Sequence, residues 1–283
     1  MSTYKESVRL ASYAGLRELI QQRGISGALT FVKKCGYTSA ELLYISHECD
    51  TILNEAKEWR DAIAESGIGV SCISCYTDVV TKEPPYAVDS RSVEAVKRCI
   101  DLAKKIGCPL VHHTLVTRLS GGRDGYSEVF RLAIAAAGEI ASYAKERRID
   151  VIYEPQGMLF NGLDGYSRFF DVMLLEHENV GICLDVGNTL WVDEDCYALA
   201  EKYARHIKHV HLKDYVLGGE DITYRTLSGT TINEVKLGTG VIDLERVFNL
   251  LTSNGYTGVF SNEDNSGLSH EANAKNALGI LTK

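Results

Sequence analysis

The chain has 283 residues, of which 45% are hydrophobic and 24% charged, ordinary proportions for a globular protein. Its formal net charge of -8 argues against nucleic acid as a main partner, because phosphate binding needs a basic surface. No stretch approaches the ~20 apolar residues of a membrane span, and the polar start Met1–Ser7 lacks a signal peptide's apolar core. With eight scattered cysteines, a cytoplasmic chain with reduced thiols is expected.

In chain order, Val8–Tyr13 reads as a first strand, followed by helix-like sequence over Leu16–Gln22 and Gly27–Cys35. Ala40–Ile45 is a second strand. Thr51–Glu65 is amphipathic, with Ile52, Ala56, Trp59 and Ile63 at helical spacing and Gly67 as its stop. Ile68–Ser74 is a third strand. The Cys72-Ile73-Ser74-Cys75 segment has CxxC spacing but no second pair, so its thiols read as small core residues. Thr77–Ser90 contains Pro84-Pro85 and is a loop. Ser92–Ile106 is a helix capped by Ser92, Leu110–Leu115 a strand, and Tyr126–Arg147 an Ala-rich helix. Then come strand Val151–Glu154, helix Tyr166–Glu176, strand Val180–Asp185, helix Cys196–Arg205, strand Ile207–Leu212, helix Leu244–Ser253 and strand Gly258–Asn262. Alternating strands and helices over residues 1–283 predict one α/β domain, a (β/α)8 TIM barrel.

Four of these apolar runs end at Glu154, Asp185, His211 and Glu263. In a parallel barrel the C-terminal strand ends converge on one mouth, and three carboxylates with an imidazole suit a divalent cation. A carboxylate after an apolar run is costly unless it binds something. Side-chain alternation puts His209, His211 and Lys213 on one face. His209 reads as a deeper, hydrogen-bonded core residue, and Lys213 as a holder of a substrate oxygen or the partner of a ligand carboxylate. Of His112 and His113 one points inward, and His113, nearer the mouth, is the expected substrate contact. Glu41 has two readings, a mouth residue or a structural ion pair. Trp191 also has two, a cover for an apolar sugar face or helix packing. Asp214 is expected to face out and stabilise its loop. Gly238-Thr239-Gly240 is a weak phosphate-binding signal.

The segments Tyr153-Glu154-Pro155, Leu184-Asp185-Val186-Gly187-Asn188, His209-Val210-His211-Leu212-Lys213-Asp214, Gly238–Asp243 and Gly255–Glu263 resemble the sugar phosphate isomerase/epimerase family of xylose-isomerase-like TIM barrels. The resemblance covers nearly the whole chain. It implies a divalent metal, manganese, magnesium, cobalt or zinc, held by Glu154, Asp185, His211 and Glu263. It further implies a small sugar or polyol substrate and isomerisation or epimerisation through an enediolate, with Glu154 and Glu263 as the catalytic pair. Elimination, as in an inosose dehydratase, and sugar binding without catalysis are the rivals. The chain departs from the family at Asn188, where many members place a substrate-contacting His, and at Asn262, where many have an apolar residue. Association into a homo-oligomer stays open.

Overall fold

A computed structural model describes residues 8–118, 125–219 and 224–282, so the polar start at 1–7 lies outside the described residues. Short runs of apolar and β-branched residues form the barrel strands β1 (Arg9–Ser12), β2 (Ser39–Ile45), β3 (Gly69–Tyr76), β4 (Leu110–His113), β5 (Asp150–Tyr153), β6 (Val180–Asp185) and β7 (Ile207–Leu212). Three further strands, β8 (Asp214–Leu217), β9 (Tyr224–Arg225) and β10 (Thr231–Val235), make a separate antiparallel sheet, and β11 (Val259–Asn262) is the eighth barrel strand. The barrel closes in the order β1-β11-β7-β6-β5-β4-β3-β2, all pairs parallel. Between them run α1 (Leu16–Cys35), α2 (Ala56–Ser66), α3 (Ser90–Ile106), α4 (Tyr126–Arg147), α5 (Gly162–Glu176), α6 (Tyr197–Tyr203), α7 (Leu244–Ser253) and α8 (His270–Leu281). The expected (β/α)8 barrel is the observed fold. Among the described residues no helix is long and apolar enough to cross a membrane.

The differences from the sequence reading are local and have physical causes. The gap between Gln22 and Gly27 is a kink within one helix: Gly24 sits at φ 68, ψ 171, a region open essentially to glycine alone. A Cβ there would touch nothing within 4 Å. Gly24→Ala therefore carries only the backbone penalty, about 1–3 kcal/mol, readable as a lowered denaturation midpoint. Helix α3 begins two residues before Ser92 because Asp89 is its cap, accepting from the Arg91 and Ser92 amides. Asn161 likewise starts α5 ahead of Tyr166 by accepting from Gly162 N. Gly162 and Gly165, weak helix formers, hide that first turn. The β8–β10 sheet and α8 had no sequence assignment. Ser269 caps α8, which packs against α1, α7 and β1 to complete the helical layer.

Outward strand residues meet the helices. Tyr153 packs edge-on against Phe169 of α5 and donates its hydroxyl to Ala137 O in α4. Inward residues fill the barrel. Cys72, Leu110, Ile152 and Cys183 form a small apolar cluster of their own. Cys72 thus faces in, while Cys75 faces out and meets Cys49 and Cys99 in the helical layer, Sγ–Sγ 3.8 Å from Cys49. The two ends of the CxxC segment lie on opposite faces of β3 and cannot share an ion, in keeping with their reading as core thiols.

Candidate active site

The inward cluster Cys72, Leu110, Ile152 and Cys183 sets the floor of the site. Side chains return to the same face every second residue. Two positions further along each strand stand Ser74, His112, Glu154 and Asp185, an entirely polar set. On β7 and β11 the same step leads from His209 to His211 and from Ser261 to Glu263. A one-residue slip would turn all of these into the helical layer.

The ligand atoms of Glu154, Asp185, His211 and Glu263 all lie within 4.8 Å of one another. His211 Nδ1 is 3.1 Å from Glu154 Oε1 and 3.2 Å from Glu263 Oε2. Lys213 Nζ is 2.7 Å from Asp185 Oδ2 and 3.0 Å from Glu263 Oε1, and it donates at 3.4 Å to Asn188 Oδ1. Asp185 Oδ1 accepts from the Gly187 and Asn188 amides, which fixes its carboxylate at the strand end.

Burial would raise the Glu154 pKa, but His211, His112 and Lys213 outweigh it and hold the carboxyl down to about 2. Burial opposes the charged form of His211 too, yet its acidic neighbours, Glu41 and Glu154 among them, keep it well above the ordinary imidazole value. Asp185 goes the other way: burial, with Glu154 and Glu263 nearby, pushes it well up against the pull of Lys213. The balance of charge explains this. Glu41, Glu154, Asp185 and Glu263 are four carboxylates, and the basic groups touching them in this cluster are Lys213, His209, His211 and His112. Burial keeps His112 below its ordinary value, hence neutral at pH 7. The site brings carboxylate oxygens and imidazole nitrogens from four strand ends to one point. That donor set suits a divalent cation, and the residues present fit one.

Several expected placements change. His112, not His113, is the inward member of its pair, with Nδ1 3.2 Å from Ser74 Oγ and Nε2 3.5 Å from Glu154 Oε2. His113 faces the helical layer, edge-on to Tyr153 at 5.1 Å, with Nδ1 2.8 Å from Thr114 O. Strand alternation dictates this, because Leu110 faces in and His112 must follow it. The Gly238-Thr239-Gly240 turn is no phosphate cradle: Asp214 Oδ2 accepts from both Gly238 N and Gly240 N. Asp214 is thus a loop anchor, as expected, but a fully buried one. Trp191 packs on Tyr224 of the small sheet, ring centroids 4.9 Å apart. Among the described residues its Nε1 and Asn188 Nδ2 are buried without a partner.

Tyr13 had no role in the sequence reading. Its ring stacks on His211 with centroids 5.1 Å apart. The signal was present, since Tyr13 is the strand-end residue two beyond inward Ala11. A cavity of about 560 Å³ opens beside the cluster, reaching Tyr13, Glu41 and Glu263 and running outward past Arg17 to Tyr44 and Trp59.

Comparison with known proteins agrees with the fold. The family description "xylose isomerase-like TIM barrel" matches residues 29–283. The L-ribulose-5-phosphate 3-epimerase UlaE of Escherichia coli K12 is 25% identical over 222 residues, covering 74% of this chain and 70% of that enzyme. The same enzyme from strain O1:K1 is matched over 66% of its length. An inosose dehydratase of Clostridium tetani is 30% identical over 129 residues, 42% of each chain. In structure, a xylose isomerase-like TIM barrel protein of Mycobacterium smegmatis in complex with magnesium superposes with a TM-score of 0.70 over 98% of both chains at 18% identity.

Proposed function

The chain belongs to the xylose isomerase-like TIM-barrel family, and from that premise we propose that it is a divalent-metal-dependent epimerase or isomerase of a small sugar or keto-polyol, removing a proton next to a carbonyl. The observation that carries this reading is the meeting of Glu154 and Glu263 at one imidazole nitrogen. They come from the ends of β5 and β11, which two other strands separate, so the two carboxylates approach the same point from different sides.

Glu154, Asp185, His211 and Glu263 would hold the cation, which when bound supplies positive charge beside the oxygen where negative charge develops. The side chains do the rest. Glu154 Oε2 stands free of His211 and takes the proton from the carbon next to the carbonyl. Glu263, entering the step as the carboxylic acid, gives its proton to the other face, and Lys213, 3.0 Å away, steadies the carboxylate that this leaves. The orphaned Asn188 Nδ2 is a donor for a substrate hydroxyl. Trp191 and the Tyr224 ring it packs on offer an apolar wall. His112 replaces His113 as the histidine within reach of the substrate. Tyr13, stacked over His211, keeps water off that ring.

The test is NMR-detected deuterium uptake with a panel of ketoses and keto-polyols in deuterated water. Label beside the carbonyl, lost on chelation, supports the reading; no uptake across the panel counts against it. Mn2+ at about 100-fold over its dissociation constant should stabilise the fold by about 2.7 kcal/mol, seen as a raised melting midpoint that EDTA reverses. The match to an inosose dehydratase favours a second reading in which the same proton abstraction ends in loss of a hydroxyl. An unsaturated or deoxy product would select it.

A further inference from the structure

Glu41, on β2, is completely buried beneath the candidate metal cluster. Its carboxylate touches three side chains. Oε1 accepts from Ser74 Oγ at 2.6 Å and lies 3.0 Å from His211 Nε2. Oε2 lies 2.7 Å from His209 Nε2. The His211 ring is therefore gripped at both edges, Nε2 against Glu41 and Nδ1 toward Glu154 and Glu263. An imidazole binds a cation through a nitrogen that has given up its proton, and a carboxylate on the other nitrogen fixes that choice and makes the ring a better donor.

We propose that Glu41 is a positioning residue that keeps the His211 proton on Nε2 and so presents Nδ1 to the cation, with Ser74 and His209 holding Glu41 itself in place. This rests on the metal site put forward above. It resolves the two sequence readings of Glu41: the residue is neither a ligand nor an isolated ion pair, but acts through the ligand. It also gives His209 its purpose as the partner of the other oxygen, Oε2, of the same carboxylate.

Two measurements test this. The first is Mn2+ affinity, read from the electron paramagnetic resonance signal of the free ion, in the unaltered chain and in Glu41→Gln, alongside the melting midpoint of each without metal. The expected result is affinity weakened about 10–100-fold with little change in the metal-free midpoint. Equal affinity in the two proteins overturns the proposal. The second measurement needs only the unaltered chain, in case the variant does not fold. Histidine 1H–15N spectra of the metal-free protein should show slowly exchanging Nε2 protons on both His209 and His211, and the His211 proton should persist after Mg2+ is added. Their absence, or a spectrum with Mg2+ on Nε2, overturns the proposal. An unaltered chain that shows both Nε2 protons yet binds no Mn2+ would refute the metal reading while upholding Glu41's hold on His211.

Discussion

Glu154→Gln and Glu263→Gln should each lower turnover by about 10²–10⁴-fold, the usual worth of a positioned acid or base. Each residue is also a candidate ligand, so part of any loss will come from weaker metal binding. Assays at saturating Mn2+ separate the two effects: a deficit that persists in kcat is the proton-transfer part, and a deficit that disappears is the ligand part. The two variants should also differ in kind. Glu154 Oε2 has His112 Nε2 as its near neighbour at 3.5 Å, whereas both oxygens of Glu263 are engaged, one by Lys213 and one by His211. If Glu154 removes the proton, Glu154→Gln abolishes deuterium uptake into substrate. Glu263→Gln then leaves some uptake while blocking conversion. Full activity in either variant removes that residue from the mechanism.

Asp214→Ala should cost about 3–5 kcal/mol of stability, the loss of several hydrogen bonds to one buried charged group. One buried carboxylate accepts from four backbone amides: Tyr215 N at 2.9 Å, Gly238 N at 3.0 Å, Gly240 N at 2.8 Å and Ile242 N at 3.2 Å. Hydrogen bonds to a charged group are worth about 1.5–3 kcal/mol each, and losing them together is less than additive. Asp214→Asn should rescue little, because a carboxamide presents one acceptor where two are used and turns N–H groups toward N–H groups. The turn also demands glycine: a Cβ on Gly240 would lie 2.2 Å from Asp214 Oδ1 and 2.3 Å from Tyr215 O. Urea denaturation of both variants, without metal, reads the effect. A loss under 1 kcal/mol would mean that the loop finds its order elsewhere.

The barrel and the four-residue cluster were legible because each barrel strand is a short run that can be read from the sequence, and because the candidate ligand residues end or directly follow those runs. Alternation alone was enough to place Glu154, Asp185, His211 and Glu263 on the inward face. The same rule, carried one step further from Leu110, would have chosen His112 over His113. What alternation could not reveal is which inward groups touch across the barrel. Glu41 and His209 are 168 residues apart, and only closure of the barrel brings them together. The β8–β10 sheet escaped notice because its strands are short and half exposed, so they carry no clean inside-outside pattern. Asp214 was placed in its role of stabilising the loop, but its four amide partners lie up to 28 residues away and leave no trace in local sequence.

The four cluster residues come from β5, β6, β7 and β11, neighbours in the barrel that all belong to the later part of the chain. During synthesis, Glu263 is the last of them to leave the ribosome. No chain that stops short of residue 263 holds the complete set, so a nascent half-barrel lacks the full group of candidate ligands. A cation held by all four residues would therefore be bound only once β11 has joined the barrel, and the early half of the chain would fold without its help.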